Sequence, residues 1–298
     1  MLADHSITDT ETLLEPGEQI KAEPAVCVRR LPGKQPVTLL GVAFGNVTFT
    51  ETLIRIEEMI TSHQPHYVCT ANVDFVVQAR RDAELQRILN EAHLLLCDGL
   101  PLVWASRWLG SPLPERVAGS DLVPQLIRRA AKKNHRLFFL GATPEANEQA
   151  VANVRAQFPD VSIAGHYSPP FRPLPEMDHE EIAGRIRAAQ PDILLVAFGC
   201  PKAEKWMAAN YRALGVPVMI GVGGTIDFLA GRMKRAPLWM QRAGLEWIFR
   251  LSQEPRRLFR RYAMDFWHFG GAMIAESWRI KFQSHQRPST IKIAGDAT

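Results

Sequence analysis

From Val37 onward, short apolar runs alternate with stretches in which apolar residues recur at every third or fourth position. The runs Val37–Phe44, His66–Thr70, Leu94–Cys97, Arg136–Leu140, Val161–Gly165, Asp192–Phe198 and Val216–Ile220 read as strands. The periodic stretches predict helices over Thr48–His63, Val73–Arg81, Asp82–Asn90 and Pro101–Leu109. Further helices are expected up to Lys133, up to Phe158, over Glu180–Gln190 and over Lys202–Leu214. Thr48 or Thr50 suits the first helix as a cap, and Ser120 or Asp121 suits the helix that ends at Lys133. The strands are apolar on both faces and each is followed by a helix. That pattern predicts an α/β fold, a Rossmann-like, mainly parallel sheet flanked by helices.

After Gly224 the alternation stops. Two or more helices follow, joined near Pro255, whose missing N–H suits a helix start. Four segments result: a disordered arm over 1–35, an α/β catalytic domain over 36–230, a basic amphipathic helical appendage over 231–287 and a disordered tail over 288–298. The first 33 residues contain no apolar stretch of the kind a signal peptide needs. No apolar run reaches the roughly 18 residues that cross a bilayer, so any membrane contact is expected to be peripheral.

Composition changes this picture little; charge distribution changes it more. The chain has 298 residues, 46% hydrophobic and 22% charged, with a net charge of only +4. That balance does not point to a nucleic-acid binder. Yet Arg232 to Arg261 holds nine basic residues against two acidic ones, Glu246 and Glu254, an excess of seven (9 − 2) that exceeds the whole chain's +4. The appendage is therefore the basic part, suited to an anionic membrane surface. Cys27, Cys69, Cys97 and Cys200 show no C-x-x-C spacing and read as free thiols of a reducing compartment.

In parallel sheets, ligands bind beyond the carboxyl ends of the strands. Polar residues and glycines stand there repeatedly: Thr70 and Asn72, Asp98, Gly141, Gly199 with Lys202, and Gly221, Gly223 and Asp227. Asp98 suits a general base, and equally a loop carboxylate that satisfies local N–H groups. Thr70 and Asn72 suit either substrate hydroxyls or turn and cap duties. Arg116 suits a phosphate or the solvent. Lys202 opens a helix against the dipole, a position that an anionic ligand would relieve. The glycine turn at 221–224 makes neither G-x-G-x-x-G nor a P-loop. A nucleotide-binding Rossmann-like module or NAD-dependent oxidoreductase is thus the weaker alternative. No H-E-x-x-H or Asp-x-Asp pattern points to a metal.

Several stretches in one order resemble the WecG/TagA/CpsF family of bacterial glycosyltransferases. They are Thr70-Ala-Asn72, Cys97-Asp98-Gly99, Arg116 to Asp121, Phe138 to Gly141, Phe198 to Trp206 and Gly221 to Phe228, followed by the Arg232–Tyr262 appendage. The resemblance implies an inverting, metal-independent transfer from a UDP-sugar to a polyprenyl-diphosphate-linked saccharide, of hexosyl- or N-acetylmannosaminyltransferase type. It implies work on the inner face of the cytoplasmic membrane without a cofactor. It assigns Asp98 as the base, with Thr70, Asn72 and Arg116 beside the reacting groups. Gly141, Gly199, Lys202, Glu204, Gly221, Gly223 and Asp227 would line the nucleotide-sugar site. Arg250, Arg257 and Arg260 would reach the lipid diphosphate. Ala203 departs from the family, which often has glutamine there. Homo-oligomers are compatible with this reading.

Overall fold

The computed structural model describes residues 34–285. Residues 1–33, which include Cys27 and most of the expected arm, and residues 286–298, which include the expected tail, lie outside the described residues, as do the side chains of Arg257 and of residues 283–285.

The first apolar run is two strands, not one. β1 (Val37–Leu39) and β2 (Val42–Phe44) pair antiparallel in a small sheet of their own. Leu40 and Gly41 between them both have positive φ, 51° and 86°, the signature of a type I′ hairpin turn. Leu-Gly is not a usual turn pair, and the run is apolar throughout, so its period gave no sign of the break. The turn is held from outside. Asn90 Nδ2 donates to the Gly41 carbonyl at 3.0 Å, and its Oδ1 accepts from the Ala43 N–H at 2.8 Å.

From there the chain runs α1 (Phe49–Thr61), β3 (His66–Ala71), α2 (Val73–Ala79), α3 (Ala83–Glu91), β4 (Leu94–Cys97), α4 (Leu100–Trp108) and α5 (Gly119–Lys133). It continues through β5 (Leu137–Gly141), α6 (Pro144–Gln157), β6 (Ile163–Tyr167), α7 (His179–Ala189), β7 (Ile193–Ala197), α8 (Lys202–Leu214) and β8 (Val218–Gly221). Strands β3 to β8 form one six-stranded parallel sheet in the order β4-β3-β8-β7-β5-β6. Alternate residues feed two cores. Tyr67, Cys69, Ala71, Leu194 and Val196 enter one, with α2, α3, α4, α7 and α8. Val68, Leu96, Leu195 and Ile220 enter the other, with α1, α5 and α6. Helices on both faces explain why no strand shows a polar side.

Thr48 closes α1 with a capping box: its hydroxyl accepts from Glu51 N–H while the Glu51 carboxylate accepts from Thr48 N–H. The expected Ser120 or Asp121 cap is absent. α5 begins earlier, at Gly119, with Ala118 as its cap residue and no side-chain cap bond. The Asp121 carboxylate is drawn instead to two arginines described below. The strand expected at 161–165 is shifted to Ile163–Tyr167.

Beyond β8 come α9 (Thr225–Leu229), α10 (Leu238–Arg242), α11 (Glu246–Gln253) and α12 (Pro255–His285). α12 lies along α2. Its underside is pinned through Arg261, which donates to Asp74 at 2.5 Å, beside buried Asp265. Its outer side exposes Phe259, Phe266, Trp267, Ile274, Trp278 and Phe282. Among the described residues, no helix is long and apolar enough to cross a membrane.

Candidate active site

The carboxyl ends of β3 and β4 build the centre. Their register pairs Ala71 with Cys97, so Asn72 and Asp98 are the next residues on neighbouring strands. The Asp98 N–H donates to the Ala71 carbonyl at 2.9 Å, which fixes the turn. The loop carrying Arg116 is laid on top: Val117 N–H donates to the Cys97 carbonyl at 2.8 Å, and Gly119 N–H donates to Asp98 Oδ2 at 3.4 Å. Asp98 thus faces the first turn of α5.

Asp98 is partly buried. Loss of solvent pushes its carboxyl above the usual carboxylate range. The charges of Arg116 and Arg250 and the Gly119 N–H pull it back down, and Glu246 pushes it up. A carboxylate whose proton affinity is raised above its usual range, next to two cations, has the properties of a general base.

Asn72 Oδ1 accepts from Phe75 N–H at 3.4 Å and caps α2. Thr70, 8% exposed, donates through Oγ1 to the Gly221 carbonyl at 3.0 Å and so ties β3 to β8. Its hydroxyl keeps acceptor capacity alone. Arg116 lies between two carboxylates, Asp121 at 2.6 Å and Glu246 at 2.7 Å. It is neither a solvent-facing arginine nor a free one.

The second group of expected residues lies at the ends of β5, β7 and β8. Gly141 has φ +98°, and a Cβ there would stand 2.6 Å from the Ala197 carbonyl oxygen. Only glycine lets β5 and β7 meet so closely at this end. Its own carbonyl accepts from Asn147 Nδ2 at 2.8 Å and Ser168 Oγ at 2.9 Å. Gly199 lies in the turn ahead of α8, and Gly223 is exposed in the turn ahead of α9. Asp227 is in the first turn of α9, where the helix dipole favours a carboxylate.

Lys202 is relieved of its unfavourable position by the protein itself. Its ammonium donates to the Arg172 carbonyl at 2.5 Å and sits over the rings of Phe171 and Phe198. Glu204 lies underneath the floor rather than on it. It is 3% exposed, its Oε2 has no hydrogen-bond partner, and a Cβ on Gly221 would be 3.1 Å from its Oε1. Burial pushes its carboxyl up to about 7. Cys69 is fully buried beside it, and burial raises the thiol well above its usual value.

The appendage arginines part company. Arg250 on α11 stacks over the Phe228 ring at 5.1 Å, its charge is felt at Asp98, and its Nε is buried without a partner. Arg260 is exposed and lines a groove of about 600 Å³ between α11 and α12, with Ile248, Leu251 and Phe259. Arg257 is on α12, and its side chain lies outside the described part. Among the described residues, no set of three His, Cys, Asp or Glu side chains converges as metal ligands.

Sequence reading takes Asp121 as a cap and as the end of the Arg116–Asp121 stretch, and takes Arg235 and Glu246 only as part of the appendage's charge balance, with no site role. One signal was available: Glu246 is one of only two acids among nine bases in the Arg232–Arg261 segment.

Comparison with known proteins identifies the family. Residues 37–283 match the model of the glycosyl transferase WecG/TagA/CpsF family. The chain is 30% identical over 226 residues to an N-acetylglucosaminyldiphosphoundecaprenol N-acetyl-beta-D-mannosaminyltransferase of Staphylococcus aureus strain MW2, covering 75% of this chain and 87% of the relative. The same identity and coverage hold for the enzyme of that name from strain MRSA252.

Proposed function

Because the chain belongs to the WecG/TagA/CpsF family of glycosyltransferases, we propose that it moves a sugar from a UDP-sugar onto a saccharide linked to undecaprenyl diphosphate, with inversion. The relatives' own name describes N-acetylmannosamine transfer to a GlcNAc-diphosphoundecaprenol, and a donor and acceptor of that kind are our first choice. The observation that carries the reading is Asp98, a carboxylate of raised proton affinity at a strand end, flanked by Arg116 and Arg250. The family assignment displaces the NAD-dependent alternative.

In this reading Asp98 removes the proton from the acceptor hydroxyl. The oxygen attacks the anomeric carbon from the face opposite UDP, the bond to the diphosphate breaks, and the configuration inverts. Negative charge grows on the departing diphosphate. The N-termini of α8 and α9 and the arginines are the groups suited to stabilise it without a metal. Asn72 and Thr70 orient the reacting sugars, Thr70 as an acceptor only. Gly141, Gly199, Gly221, Gly223 and Asp227 line the donor side, and Lys202 joins them if its bond to the Arg172 carbonyl opens. Glu204 acts through the floor it supports. Arg250, Arg257 and Arg260 receive the lipid diphosphate.

The exposed apolar side of α12 and the basic residues of the appendage suit the cytoplasmic face of an anionic membrane. The division into an α/β catalytic domain and an appendage from 231 follows the same logic.

The test offers candidate UDP-sugars with a GlcNAc-diphosphoundecaprenol acceptor and reads UDP release and product anomer. Acceptor-dependent UDP release with an inverted linkage is expected. Release with no acceptor dependence, or a retained configuration, overturns the reading. For the membrane face, sedimentation with vesicles containing anionic phospholipid is expected to carry the full chain down, and to fail for a chain ending at Met233.

A further inference from the structure

Four charged side chains close a ring next to Asp98. Arg116 reaches Asp121 Oδ2 at 2.6 Å with Nη2 and Glu246 Oε2 at 2.7 Å with Nη1. Arg235 takes the other oxygen of each carboxylate, Asp121 Oδ1 at 2.6 Å and Glu246 Oε1 at 3.9 Å. Gln241 reinforces the corner by accepting from Arg235 Nη2 at 3.0 Å. The side chains are only 16–32% exposed, so solvent competes weakly for them. Such pairing costs desolvation, and a protein gains little stability from it by comparison with apolar packing. What an alternating ring does supply is geometry: two planar guanidinium groups and two carboxylates fix one another's orientation.

The members come from three places. Arg116 and Asp121 border the loop and helix that touch Asp98 through Gly119 N–H. Arg235 precedes α10. Glu246 opens α11, the helix that also carries Arg250. The ring is therefore the joint by which the appendage is seated against the β4 end.

We propose that Asp121, Arg235 and Glu246 are positioning residues for the transfer reaction: by closing this ring they hold the Arg116 guanidinium beside Asp98 without letting it turn fully onto that carboxylate, and they set Arg250 opposite. The proposal rests on the reading of Asp98 as base. Without Glu246 or Asp121, Arg116 keeps only one of its two carboxylate anchors, and its guanidinium is free to turn toward Asp98. A closed Arg116–Asp98 pair lowers the proton affinity of the base and blocks its approach to a hydroxyl. The groups that face Asp98 are Cys97 on its own strand, Arg116 and the Gly119 N–H from the loop and α5, and Arg250 and Glu246 from α11. Removing Glu246 takes away an appendage charge that raises Asp98.

The experiment compares the full-length wild type with Glu246→Gln, Asp121→Asn and Glu246→Asp. It follows transfer kinetics across pH, and it follows the Asp98 carboxyl itself by infrared titration, as a difference against Asp98→Asn. For Glu246→Gln and Asp121→Asn, kcat is expected to fall about tenfold to a hundredfold, as misplacement of a reacting group does. KM for the UDP-sugar should stay within about twofold. The acid limb of the rate profile and the Asp98 titration should both move down by about one pH unit, the size of effect a newly closed arginine pair has on a carboxylate. Glu246→Asp, which keeps the charge, should recover most of both. An Asp98 titration unmoved in the two amide variants overturns the proposal, as does a loss of kcat that only follows the loss of folded protein. If the wild type transfers no sugar, the reading of the reaction fails, and the infrared titration still decides whether the ring controls Asp98.

Discussion

Two carboxyls near the carboxyl end of this sheet have had their proton affinity raised by burial, and they differ in nearly everything else. Asp98 keeps an opening to solvent, accepts from Gly119 N–H and stands between two arginines. Glu204 is shut between β8 and the first turn of α8, with Met207 and a thiol for company and an oxygen left without a partner. A raised carboxyl is therefore not a site in itself. Access and cationic neighbours suit one to the base's role proposed for it. Their absence leaves the other as a load on the fold that is lightest when protonated.

The sharpest way to break the contrast is Asp98→Asn. It is expected to cut transfer by about two to four orders of magnitude, the contribution of a general base, with the folded state unchanged by circular dichroism. Near-normal turnover would remove Asp98 from the mechanism. In the wild type, activity should fall as pH drops through the raised Asp98 value, because the base must be ionised to work.

Glu204→Gln should act on stability instead, and with a definite sign. The Glu204 carboxyl is raised from 4.5 to about 7. Its favourable contribution is complete below pH 4.5 and is lost as pH rises through about 7. That loss amounts to about 3 kcal/mol. The glutamine variant carries no such loss. Denaturant titrations at pH 5 and pH 8.5 should show the variant gaining on the wild type by about that amount at the higher pH. A constant difference would mean that Glu204 has a partner or an outlet to solvent.

The smallest expected effect falls on Thr70, which joins the two regions. Thr70→Val removes its bond to the Gly221 carbonyl and is expected to cost about 1–2 kcal/mol, the price of leaving a buried acceptor bare. Because its hydroxyl oxygen is proposed to orient a reacting sugar, kcat for the folded fraction should fall too. An unchanged kcat would leave Thr70 only as a brace between β3 and β8.

Much of the fold was legible in the chain because helices and strands are set by neighbours a few positions apart. Lys202–Leu214 is a helix over the range its period predicts, and Pro255 begins one as its missing N–H suggests. The failures share a cause. The Val37–Phe44 run breaks at Leu40–Gly41 because Asn90, far along the chain, holds the turn. Asp121 does not cap α5 because Arg116 and Arg235 compete for its carboxylate with full charges.

The sequence by itself determined which residues stand at strand ends, and so put Asp98, Thr70 and Asn72 where a parallel sheet takes its ligands. It also determined that the basic charge lies in the last part of the chain. Tertiary structure alone decided that Glu204 is buried, that Lys202 is turned onto a loop carbonyl, and that Glu246 crosses 130 positions to meet Arg116. Periodicity reports which face of an element is apolar. It carries no information on which elements become neighbours, and the energy of a charge depends on those neighbours.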